Sequence, residues 1–117
     1  MGNTVIALPS SIAPLSATDN YQIFETSDLP SGVVNIVTGD HDGLSKVLAE
    51  HHDVNAMWYF GSAEGSKQVE LASTSNMKRT WVNYGQPRAW LDLVQGEGEE
   101  FLRESTQVKN IWVPYGE

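Results

Sequence analysis

Ala56-Met57-Trp58-Tyr59-Phe60-Gly61-Ser62-Ala63-Glu64-Gly65-Ser66 is the stretch on which the reading of this chain turns. Five apolar residues in succession, three of them aromatic, are the mark of a buried strand. Gly61 ends the run. Ser62 is suited to cap a helix, because its hydroxyl accepts from the N–H groups that a first turn leaves unpaired. Glu64 then sets a negative charge in that turn, where the helix dipole favours it. Val69, Leu71 and Ala72 carry the helix on.

The same unit recurs on both sides. Upstream, Thr4-Val5-Ile6-Ala7-Leu8 reads as a strand buried on both faces and stopped by Pro9. Pro14 opens a helix whose apolar residues are Leu15, Ala17, Tyr21 and Phe24, ended by Asp28-Leu29-Pro30-Ser31-Gly32. Val33 to Val37 is a second strand, and Leu44, Val47 and Leu48 are the stripe of a second helix that ends near His51-His52. Downstream, Lys78 to Val82 is a fourth strand, closed by Asn83-Tyr84-Gly85. The order β-α-β-α-β-α-β predicts a parallel sheet with flanking helices and right-handed crossovers, an α/β fold. After Gly85 the alternation stops. Gln95 to Glu100 reads as an exposed loop, Glu99 to Glu104 as a short helix, and Gln107 to Val113 as a terminal strand before Pro114.

Composition bounds the function. A chain of 117 residues makes one domain and buries about 65% of its unfolded surface. It carries 7 Lys and Arg against 15 Asp and Glu, a net charge of −8 that argues against nucleic acid. Residues 92–117 hold six acids and two bases, so that stretch reads as a solvated acidic surface. No run approaches a membrane span, and the opening residues lack a basic and apolar leader, which predicts a cytoplasmic protein without membrane partners. There is no Cys, hence no disulfide, thiolate zinc site or Cys nucleophile.

Five blocks carry a family resemblance. They are Gly2-Asn3-Thr4-Val5-Ile6 with Pro14-Leu15-Ser16-Ala17; Leu29-Pro30-Ser31-Gly32-Val33-Val34-Asn35-Ile36-Val37-Thr38-Gly39; His52-Asp53-Val54; Gly61-Ser62-Ala63-Glu64; and Ser75-Asn76-Met77-Lys78-Arg79. In this order they resemble the nucleotide-binding domain of the aldehyde dehydrogenase superfamily. The resemblance implies an incomplete Rossmann-like parallel sheet over residues 1–86, an acidic linker with a short helix over 87–105, and a C-terminal oligomerisation-type β-strand tail over 106–117.

The departures from the family pattern are chemical. Leu8 stands where the family carries a Lys for the adenosine ribose, and Ser11 where a Glu is often found. Gly61, Ser62 and Glu64 keep half of the Gly-Ser-Thr-Glu-x-Gly turn under the pyrophosphate, with Gly65-Ser66 in place of x-Gly. Tyr59-Phe60 replaces the usual Phe-Thr and brings bulk to the strand end where nucleotides enter. Asn83 occupies the general-base position and takes no proton, and the nucleophilic Cys is absent. This pattern resembles the truncated, non-catalytic C-terminal module of two-module members (the aldehyde dehydrogenase 16 type).

Two functions follow as expectations. The first is a non-catalytic pseudoenzyme module with a structural or oligomerisation role, inactive alone and without a cofactor, packed on the remainder of a larger chain or on a second copy. Trp90, Val108, Ile111, Trp112 and Tyr115 are its candidate contact residues, since aromatics enrich interface cores. The alternative is the NAD(P)-binding part of an active dehydrogenase whose Cys lies on another domain or chain. Gly61–Ser66 itself admits an anion cradle or a capped helix start with no ligand, and the missing Lys favours the second. His41, His51 and His52 read as a solvated helix surface rather than a metal site, and Asp40 or Asp42 as a helix cap.

Overall fold

A computed structural model describes residues 2–116; Met1 and Glu117 lie outside the described residues. Two compact units follow one another, Gly2–Pro87 and a second that begins at Arg88.

In the first unit, β1 (Val5–Ala7) pairs in parallel with β2 (Val34–Ile36), and β3 (Ala56–Tyr59) pairs in parallel with β4 (Arg79–Val82). The register sets Ile6 beside Asn35 and Trp58 beside Trp81. The sequence predicts one parallel sheet; the strands instead form two separate pairs. The predicted burial of the first strand on both faces is also corrected, since Val5 and Ile6 are 45% and 47% exposed. Three-residue strands pair over too short a length to recruit a neighbour, and neither flanking helix buries a side chain. The helix expected from Pro14 is two helices, α1 (Pro14–Asp19) and α2 (Tyr21–Thr26). Between them the carbonyl of Asn20 accepts from both Ile23 and Phe24 N–H, a tightening that resets the helix.

The core lies around β3. Alternation along the strand buries Met57 and Tyr59 on one face, where they meet Ala49 of α3 (His41–Glu50) and Val69 of α4 (Ala63–Ala72). Trp58 points the other way, its ring edge-on to Trp81 at 5.0 Å, with Phe60 against the same Trp81 at 4.9 Å. Asp40 caps α3, its Oδ2 accepting from Gly43 N–H at 2.7 Å, and Ser62 Oγ caps α4 by accepting from Gly65 N–H at 3.0 Å. Both caps are as the sequence predicts. The positive group at the carbonyl end of α3 is not a histidine. Lys78, 8% exposed, donates from Nζ to the carbonyls of Leu48 (2.9 Å) and His51 (2.7 Å). It leaves the strand to do so, and β4 begins one residue later than predicted.

The second unit holds α5 (Leu93–Glu97) and α6 (Glu99–Glu104). The loop expected over Gln95 to Glu100 is therefore corrected: it is the end of one helix and the start of the next. Asp92 Oδ1 caps α5, accepting from Val94 and Gln95 N–H. Arg88 gathers the unit, with Nη2 donating to Glu100 Oε2 and Nε to the carbonyl of Gln95, both at 2.6 Å. Its guanidinium also lies over the rings of Trp90 and Phe101. The predicted terminal strand is corrected too. Residues 106–116 form neither strand nor helix. A strand exists through its pairing, and within the described residues no edge is paired with this segment. Among the described residues no helix is long and apolar enough to cross a membrane.

Candidate functional site

The residues singled out at 61–64 and at 83 meet in space. β3 and β4 run in parallel, so both chains leave the sheet at the same end. Gly61–Ser62 and Asn83–Gln86 thus lie together at the N-terminus of α4. Asn83 joins them: its Oδ1 accepts from Gly61 N–H at 3.1 Å, and its Nδ2 donates to the carbonyl of Gln86 at 2.9 Å. Gln86 N–H returns a bond to the Asn83 carbonyl at 2.9 Å, closing the turn. Both ends of the amide are engaged, one as acceptor and one as donor.

Tyr84 and Gly85 hold the turn in the left-handed region, with φ of +51° and +75°. Gly85 suits this φ because it has no Cβ; a Cβ there would meet Ala63 N at 3.5 Å, an ordinary contact distance, so the backbone conformation and not crowding favours glycine. Tyr84 is held by Ser66, which is fully buried. Ser66 Oγ accepts from Tyr84 N–H at 3.1 Å and donates to the carbonyl of Ser62 at 2.9 Å. The Tyr84 hydroxyl donates to Glu70 Oε2, and this bond to a carboxylate pushes the phenol up from its ordinary range. Lys78 shifts the other way, its ammonium pushed down by burial.

Glu64 does not turn into the turn; its Oε1 accepts from Gln68 Nε2 at 3.4 Å. Tyr59 comes from below, 5% exposed, with its ring 5.4 Å from that of His41 and packed on Gly61 and Gly65. Beside it a cleft of about 270 Å³ opens between α3 and α4, lined in part by Asp42, Lys46, Tyr59, Ser62, Glu64 and Gly65. Among the described residues no three His, Asp or Glu side chains gather as metal ligands. Sequence reasoning missed Ser66 and Tyr84 as a linked pair, and Lys78 and Arg88 as organising cations. Ser66 in the place of a Gly was the one visible sign.

The profile of the aldehyde dehydrogenase family matches residues 1–104. This chain belongs to the aldehyde dehydrogenase family. It is 40% identical over 85 residues to the NADP/NAD-dependent aldehyde dehydrogenase PuuC of Escherichia coli (strain K12), a match that covers 72% of this chain and 17% of that protein. It is 31% identical over 84 residues to betaine aldehyde dehydrogenase of Bacillus subtilis (strain 168), with the same shares. Among solved structures, PnpE in complex with nicotinamide adenine dinucleotide superposes with a TM-score of 0.65 at 37% identity, covering 69% of this chain and 17% of that one. Apo indole-3-acetaldehyde dehydrogenase gives 0.67 at 38% identity, covering 72% of this chain and 20% of that one. The chain thus spans about a sixth of the length of the curated aldehyde dehydrogenases it matches. The α/β fold of the family and its Rossmann-like parallel pairing stand on these similarities together with the topology above.

Proposed function

We propose that these residues are a non-catalytic aldehyde dehydrogenase-like module whose role is structural. The observation that carries this is Asn83. At the position the resemblance gives to the general base stands an amide that takes no proton and spends both its ends on backbone groups of its own fold. No Cys is present to act as nucleophile, and Leu8 offers no donor at the ribose position. On this reading the α/β region of residues 1–86 is a scaffold, residues 87–105 connect it, and the tail of 106–117 is an assembly element of a cytoplasmic protein. Gln107 to Val113 pairs with a sheet edge of the larger chain or of a second copy, and Trp90, Val108, Ile111, Trp112 and Tyr115 make the contact. What supports this is their exposure, 91% for Trp112, and the strand pattern of a segment that is unpaired here. The chain incubated with an aldehyde and NAD or NADP is expected to give no reduced cofactor above the buffer rate. Aldehyde-dependent reduction would overturn the proposal.

One observation favours the second reading, in which the segment binds the nucleotide for a Cys carried elsewhere: the Ser62-capped start of α4 is intact. Its free N–H groups attract anions. NAD binding by the unaltered chain is the result that reading requires.

A further inference from the structure

The cleft at the start of α4 has an occupant of its own. A Cβ built on Gly65 would lie 2.0 Å from the Tyr59 hydroxyl oxygen and 2.6 Å from Cζ, and one on Gly61 would lie 2.6 Å from the same two atoms. Both glycines therefore form a hollow on the outside of the β3–α4 turn, and the end of the Tyr59 ring fills it. The ring cannot swing clear. It is 95% buried, pressed between the His41 ring and the Ala49, Met57 and Val69 core. Its hydroxyl finds no hydrogen-bond partner among the described residues, although it lines the cleft. The volume of the phenol sits where two glycines would otherwise admit a ligand to the backbone.

The space left over is small and of the wrong sign. About 270 Å³ is at the lower edge of the range that small-molecule sites occupy. Its charged walls are Asp42, Glu64 and Lys46, a net negative set, and Lys46 is drawn toward Glu50 at 3.9 Å. A dinucleotide brings two phosphates to such a helix start and meets filled space and two carboxylates. The residues present do not fit the group that the family implies.

We infer that Tyr59 is a built-in stopper, and that the end of its ring, hydroxyl included, closes the α4 cleft to a dinucleotide. This rests on the structural reading above and sharpens it, by naming the residue that sets what the cleft admits. The test is NAD binding, measured by calorimetric titration and by the shift in melting temperature at millimolar NAD, on the chain and on Tyr59→Phe. Tyr59→Phe keeps the ring and the core and removes the hydroxyl oxygen, the atom nearest Gly65, and Tyr59→Leu also removes Cζ and Cε1, which stand over both glycines. Circular dichroism checks that each variant folds. The expected result is an affinity gain of about tenfold or more in the variant, from an undetectable or barely detectable level in the parent. Equal binding by parent and variant overturns the inference, whether both bind NAD or neither does. The aldehyde assay separates the two claims. A variant that binds NAD yet oxidises no aldehyde upholds both. A parent that binds NAD as well as its variant defeats the stopper and supports the nucleotide-binding reading, whereas a pair in which neither binds defeats the stopper alone.

Discussion

The Asn83 side chain accepts a hydrogen bond from Gly61 N–H at 3.1 Å and so ties the end of one strand to the turn after its neighbour. Because Nδ2 also donates to the Gln86 carbonyl, only an amide satisfies both partners. A carboxylate at this position would keep the first bond, lose the second, and face a carbonyl oxygen. Asn83→Glu, which supplies the acid that the sequence resemblance expects at this position, is expected to cost about 1–2 kcal/mol of stability in urea unfolding and to bring no aldehyde oxidation. An unchanged midpoint would show that the turn does not depend on the amide.

Gly65→Ala tests the packing of Tyr59. An alanine in a helix normally gains about 1 kcal/mol over glycine. Here its Cβ would stand 2.0 Å from the Tyr59 hydroxyl, so overpacking is expected to reverse the sign and leave the variant destabilised by about 1–2 kcal/mol. Pairing it with Tyr59→Leu is expected to show a coupling of about 1 kcal/mol, read from the four midpoints of a double-mutant cycle. Additive effects would mean that the ring yields to the methyl group.

Lys78 joins α3 to the start of β4 through the Leu48 and His51 carbonyls. Lys78→Met is expected to cost about 1–3 kcal/mol near neutral pH, because two carbonyls lose a charged donor. The pH dependence has a definite sign. Burial holds the folded-state ammonium below its ordinary value, so between that lowered value and about 10.4 the unfolded chain binds more protons than the folded one. Stability from this group therefore rises with pH through that window, and a neutral amine still has N–H groups for both carbonyls. The parent's advantage over Lys78→Met should grow on titration into the alkaline range; a shrinking advantage would contradict the desolvation argument.

Tyr84 predicts the opposite slope. Its phenol is raised by the hydrogen bond to Glu70, with lesser contributions from burial and from the charge of that carboxylate. The folded chain thus keeps its proton above about pH 10, where the unfolded chain loses it. The stabilisation is complete below that pH and is lost as pH rises through the folded-state value. Ultraviolet titration of the phenols should show a late Tyr84 component that moves back toward the ordinary range in Glu70→Gln. No change on that substitution would remove Glu70 as the cause.

How much of this was legible follows the type of interaction. β3, α4 and the Ser62 cap were readable because apolar run, glycine and capping hydroxyl are local signals, and the structure places each where the sequence does. Asp40 as the cap of α3 is the same case. The break at Asn20 was not legible, because one residue of helical backbone with a doubly used carbonyl leaves the apolar spacing intact. Helix α5 was hidden by Gly96 and Gly98, which suggest a loop until Asp92 and Arg88 are seen to hold both ends of the segment. Lys78 and Arg88 act across 30 and 12 residues of sequence, on backbone carbonyls and a carboxylate that no motif announces. The tail failed for a different reason. Its alternation describes a strand fit to pair, and a strand is assigned only where pairing is present, which it is not for this segment among the described residues.

That tail carries the central claim, and the mass of the assembly in solution tests it most directly. Light scattering on the chain and on a version ending at residue 104 should show a higher-order species that falls to monomer mass on truncation. Equal masses for the two, with both folded by circular dichroism, would contradict assembly with a second copy through the segment from Gln107 to Val113.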